Sequence, residues 1–145
     1  MDYPSSVFPP DEERTIIEAI KRFELQTSGE LRVHVEHLLR RPPVDEAARV
    51  FEALGMHHTA ERNGVLILLA PQQRSFAICG DIGIDEVTPA DFWDSTCAAM
   101  RPHFAEGRYV DGLVAGIEIA GRALAEHFPR RADDVNELPD DISYG

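Results

Sequence analysis

Gly64-Val65-Leu66-Ile67-Leu68-Leu69-Ala70 decides the fold class. The run has no polar side chain, is bounded by Asn63 and Pro71, and is too short for a typical helix. An apolar run of this length reads as a strand buried on both faces, the centre of a sheet. Pro71 to Arg74 is a tight connection, and Ser75-Phe76-Ala77-Ile78-Cys79 returns beside the central strand as a hairpin partner. Upstream, residues 30–38 alternate: Leu31, Val33 and Val35 face one way, while Glu30, Arg32, His34 and Glu36 face the other. A helix over 46–56, capped by Asp45, turns Ala47, Val50, Phe51 and Leu54 inward. That helix carries the crossover, so the first strand is expected to lie parallel to the central one.

The outer elements follow from capping and helical spacing. Pro9-Pro10-Asp11 opens a helix with Ile16, Ile17, Ile20 and Phe23 on one stripe, and Thr27-Ser28-Gly29 stops it. Gly80 to Glu86 reads as a loop. Thr88-Pro89-Ala90-Asp91 reads as a helix start with threonine as the cap. This helix is expected to run to about Met100, with Phe92, Thr96, Ala99 and Met100 inward, and to end at Pro102. After a loop at 103–109, a helix over 110–127 buries Leu113, Val114, Ile117, Ala120, Gly121 and Leu124. The expected fold is α/β, a small mixed β-sheet sandwiched between helices. Residues 1–9 are expected to be a flexible lead-in and 10–128 one domain. Residues 129–145 are expected to form an acidic tail, partly disordered or docked on the surface.

Composition narrows the function classes. The chain of 145 residues carries 26 Asp+Glu against 14 Lys+Arg, a formal charge of -12. Such a surface repels duplex DNA and anionic membranes, and favours cations or a basic protein partner. The longest apolar run, Val65 to Ala70, is far too short to span a bilayer. Residues 1–10 show neither a basic nor an apolar signal region, so the expected location is cytoplasmic. Cys79 and Cys97 form no CxxC pair and read as buried thiols, although their spacing leaves a disulfide open.

The acidic loop is the main candidate site. A hard cation such as Ca²⁺ or Mg²⁺ needs several oxygen ligands. Asp81 and Asp85 lie four apart across Gly83, so a curled loop can aim both inward. Glu30 at the start of a strand and Asp111 in the first turn of the last helix are placed to join them. Arg32 would add a guanidinium fork for a phosphate held by the ion. The competing reading is a solvated acidic surface in which acids only cap helices. No EF-hand spacing, nucleophile elbow, dinucleotide fingerprint or zinc-ligand spacing is present. Of the six histidines, His34 and His37 fall on opposite faces of one strand and should not share a metal.

Four segments in order resemble the TPM domain, which is shared by a thylakoid-lumen protein, a photosystem II repair factor and a nematode receptor modulator. They are Thr27-Ser28-Gly29-Glu30, Asn63-Gly64-Val65-Leu66, Gly80-Asp81-Ile82-Gly83-Ile84, and Phe104 to Leu113. The resemblance implies a mixed sheet between helices. It also implies that acids near the sheet end, here Asp81 and Asp85 with Glu30 and Asp111, bind calcium or another divalent ion. Asn63 matches a family position beside that region and would hold the loop or supply an amide oxygen. Acid phosphatase activity is linked to the plant member, so a phosphate-bearing small molecule joins a protein partner among the expected ligands. Three functions follow as expectations: a cation-binding module, a divalent-metal-dependent phosphatase, and an interaction or scaffold module without catalysis.

Overall fold

The computed structural model describes residues 8–130 and 142–145. Strand β2 (Gly64–Ala70) is buried along its whole length, as an all-apolar run requires. Strand β1 (Glu30–Val35) lies parallel to it, with Glu30 opposite Gly64 and Val35 opposite Leu69. Strand β3 (Ser75–Gly80) pairs antiparallel on the other side, Val65 opposite Gly80 and Ala70 opposite Ser75. A short strand β4 (Ser143–Tyr144) adds in parallel to the free edge of β1, giving the order β3-β2-β1-β4. The mixed sheet and its parallel crossover are as expected.

Helices cover both faces. Helix α2 (Pro43–Ala53) packs Ala47, Val50 and Phe51 on Leu66, Leu68 and Ala77. The opposite face carries Leu31, Val33, Val35, Val65, Ile67 and Leu69. It meets Ile16, Ile20 and Phe23 of α1 (Pro10–Glu24), Met100 of α4 (Phe92–Ala105), and Leu113, Ile117 and Leu124 of α5 (Tyr109–His127). Each fully buried leucine or isoleucine contributes about 2 kcal/mol by leaving water. Helix α5 runs against β1. Its last turn receives the Thr27 hydroxyl on the Leu124 carbonyl at 2.9 Å, whereas Phe104 of α4, beside Gly112 in the first turn of α5, meets Phe76 edge to face near the start of β3.

Several local expectations give way. Helix α2 begins at Pro43, and Asp45 lies in its first turn instead of capping it. The Thr88 hydroxyl donates to the Ile84 carbonyl at 3.0 Å, so α4 starts after Asp91 and Thr88 does not cap it. Pro102 lies inside α4, which continues to Ala105, and Ala99 is exposed. A proline removes one helical hydrogen bond; the packing of α4 on α5 and β3 outweighs it. Residues 80–86 are not an irregular loop: Ile82–Asp85 form a single helical turn, α3. Both cysteines are free and half-buried. Residues 1–7 of the expected lead-in and 131–141 of the expected tail lie outside the described residues, whereas Phe8, expected to be part of a flexible lead-in, is buried in the core beside α1. Within the tail, the hydroxyl of Tyr144 donates to Glu13 of α1 at 2.9 Å.

Candidate functional site

The N-terminal ends of β1 and β2 and the C-terminal end of β3 share one end of the sheet. Asp81 follows β3 there, its N–H donating to the Gly64 carbonyl at 2.9 Å. Its carboxylate is buried and fully engaged. Oδ1 accepts from the Ile82 N–H at 2.8 Å, capping α3, and Arg62 donates Nε to Oδ2 and Nη2 to Oδ1, each at 2.8 Å. Arg62 is half-exposed and holds a left-handed backbone, φ 53°. Its carbonyl accepts from the Gly83 N–H at 2.8 Å, so the 61–62 turn grips α3 through both backbone and side chain. Gly83 is required there: a Cβ would come within 2.2 Å of the Glu61 carbonyl oxygen.

Asp85 is one helical turn on, exposed, and accepts from the Trp93 indole N–H at 2.7 Å. Gly80 leaves the space that this indole fills. Asn63 is buried, and its amide nitrogen donates to Glu61 Oε2 at 3.3 Å, so it holds the turn. Ser28 donates to the same oxygen at 2.9 Å. Glu30 is buried at the same sheet end and on the same face as Asp81, but β2 separates them. Two strand spacings put their backbones roughly 10 Å apart. Arg32 is partly buried one position further along that face.

Asp111 is not gathered with the others. It is exposed in the first turn of α5, 3.9 Å from Arg108, at the opposite end of the sheet. Helix α5 spans about 28 Å from that turn to the Glu30 end. Among the described residues no three His, Cys, Asp or Glu side chains are grouped to hold a metal. Asp81 instead lines a groove of about 310 Å³ with Phe51, Glu52, His57, Arg62 and Cys79. Burial pushes the Cys79 thiol up to about 11, and the carboxylates of Asp85 and Asp81 add to the rise.

A second polar cluster lies under α2, on the polar stripe of β1. His34 is buried, with Nδ1 2.7 Å from Ser143 Oγ and Nε2 3.1 Å from Glu36 Oε1. Glu36 is hydrogen-bonded to Glu46, which takes a bidentate pair from Arg49 at 2.7 and 2.9 Å and has Arg41 at 3.5 Å. Burial pushes Glu36 up to about 7, helped by the bond to Glu46, while Arg49 holds Glu46 down to about 2. Burial lowers His34 to about 4. The only sequence signal for this cluster is the polar half of the β1 alternation.

A family model for the TPM domain matches residues 2–123 of the chain. This protein belongs to the TPM domain family. Its TPM fold superposes on the NMR structure of the BA42 protein from the psychrophilic bacterium Bizionia argentinensis with a TM-score of 0.87 and 46% identity, covering 95% of each chain. The N-terminal domain of a protein from P. gingivalis shares the fold at TM-score 0.68 and 20% identity, covering 88% of this chain and 84% of that one. The N-terminal domain of the cg2496 protein from Corynebacterium glutamicum does so at 0.64 and 16%, covering 81% and 74%. No curated protein matches the chain. No helix among the described residues of this TPM domain is long and apolar enough to cross a membrane.

Proposed function

We propose that this TPM domain is a binding module whose acidic sheet end takes a divalent cation by exchange with the Arg62 guanidinium. One observation carries the reading. Asp81 is a buried carboxylate whose compensating charge comes from a half-exposed arginine and not from the interior. A buried carboxylate left without a counter-charge is costly, so whatever removes Arg62 must be replaced by another cation. Asp81, Asp85, Glu61 and Asn63 offer oxygens, which suit Ca²⁺ or Mg²⁺. His57 and Cys79 line the same groove, and the Cys79 thiol, its pKa raised, is a poor ligand while protonated. In the present arrangement the oxygens form no cage, because both Asp81 oxygens are engaged, Oδ2 by Arg62 and Oδ1 by Arg62 and the Ile82 N–H. With Arg62 withdrawn, Asp81 and Asp85 would hold the ion, and Glu61 and Asn63 would border it.

Backbone amide shifts during titration with Ca²⁺, Mg²⁺ and Mn²⁺ test this. The expected result is saturable change confined to residues 61–64 and 80–86, tighter binding by Arg62→Ala, and none by Asp81→Asn. No saturable change in either the parent chain or Arg62→Ala at millimolar metal removes the reading and leaves an interaction module. Phosphatase chemistry would be a further step on the same ion. A phosphate-ester panel with each ion, run beside Asp81→Asn, tests that separately.

A further inference from the structure

The geometry points to a second binding site, at the opposite end of the sheet, for a small anion with a flat apolar body: an aromatic carboxylate or phosphate ester. A cavity of about 300 Å³ lies there between β3, α4 and the start of α5, lined by Phe76, Phe104 and Tyr109 together with Arg74 and Arg101. Its volume is at the small end of the range for ligand pockets. The walls are aromatic: Phe76 and Phe104 meet edge to face at 4.8 Å between centroids, and Tyr109 lies 6.2 Å from Phe104. Such walls receive a planar apolar group by stacking or edge contact.

The charge at its mouth opposes that of the chain as a whole. The protein carries a formal charge of -12, yet both ionic groups lining this cavity are arginines. Neither pairs with a carboxylate among the described residues. The nearby acids Glu106 and Asp111 are already matched by Arg108. Arg101 lies over the Phe76 ring at 5.6 Å, which keeps its guanidinium beside the aromatic wall. Arg74 holds a left-handed backbone at φ 51°, where its N–H closes the 71–73 turn on the Pro71 carbonyl at 3.2 Å. Non-glycine residues in that region of backbone space concentrate at functional sites. Two guanidinium forks at the rim of an aromatic slot are the donor set for a carboxylate or phosphate attached to a ring. The site is independent of Asp81 and of any bound cation.

The test uses the full chain, with 2-naphthoate, 2-naphthyl phosphate and neutral 2-naphthylmethanol as probes, followed by backbone amide shifts. Both anions are expected to shift Ser75, Phe76, Phe104 and Tyr109 saturably at millimolar concentration, and the neutral alcohol to bind about tenfold more weakly or less. Arg74→Ser/Arg101→Ser should bring the anions down to the level of the alcohol while the chain stays folded, with the melting midpoint lowered only by loss of the Arg101 contact with Phe76, since both side chains are exposed. The tighter of the two anions identifies the headgroup. Equal binding of alcohol and anions, binding untouched by the double substitution, or no saturation overturns the proposal. Shifts of the same amides with protein concentration alone also overturn it, in favour of a second copy of the chain as occupant.

Discussion

Arg62 and Asp81 are joined by two parallel hydrogen bonds of 2.8 Å across 19 positions of sequence. The bonds tie the turn before β2 to the turn after β3. Asp81→Ala removes the cap of α3 together with a charge-assisted pair, and is expected to cost about 2 kcal/mol. Arg62→Ala should also lower the melting midpoint, and added Ca²⁺ should recover part of that loss. Thermal unfolding of both variants with and without the ion checks this; a midpoint for Arg62→Ala equal to that of the parent chain would show that the pair does not hold the turn.

Gly83 and Gly107 should respond differently to alanine. At Gly83 the new methyl meets backbone oxygens of Glu61 and Arg62 at 2.2 and 2.5 Å, which cannot rotate away. The expected cost is about 3 kcal/mol, from displacement of α3. At Gly107 nothing lies within 4 Å, but φ is +75°. There the cost is about 1 kcal/mol and asparagine should recover much of it. Denaturant midpoints rank the three variants.

The cluster under α2 sets a pH profile. Glu36 is raised from 4.5 to about 7, so its contribution is complete below 4.5 and lost as the pH rises through 7. His34 is lowered from 6.5 to about 4, so its contribution is present above 6.5 and lost as the pH falls through 4. Glu46, lowered from 4.5 to about 2, loses its share on acidification through that range. The Glu36 and His34 slopes oppose each other between 4.5 and 6.5, giving a plateau that falls away on both sides. Arg32, Arg41 and Arg49 are the other charged groups of the cluster, and Glu46 raises the pKa of Arg49 further. Glu36→Gln should remove the decline between pH 6.5 and 8 and uncover a rise from pH 4 to 6.5. Urea midpoints across this range test the assignment, and an unchanged alkaline limb would reject it.

Cys79 should be a slow nucleophile. Its thiol is raised to about 11 by burial and by the two aspartates, so little thiolate exists at pH 8. Labelling by a disulfide reagent should be slower than for an unhindered thiol, and Asp85→Asn should accelerate it. Cys79→Ser provides the blank that separates it from Cys97.

Period and burial made the sheet readable. Seven apolar residues from Gly64 to Ala70 can only be satisfied by cover on both faces, and the alternation in β1 fixes which side chains face each helix layer. Helix boundaries were less legible. Thr88 and Asp45 carry good capping chemistry, but the Ile84 carbonyl claims the threonine and α2 starts before the aspartate. Pro102 reads as a stop until the packing of α4 against α5 is known.

The amino-acid order alone determined the mixed sheet, its helical cover, and the placing of Glu30, Asn63 and Asp81 at one sheet end, because strand pairing and side-chain period are local consequences of hydrophobic pattern. Only the tertiary structure decided what those acids meet. Asp81 found Arg62, Asp85 found Trp93, and Asp111 went to the far end of α5, because electrostatic and hydrogen-bond partners are chosen by distance in space. Register, turn geometry and helix direction set those distances together, and no single stretch of sequence carries all three.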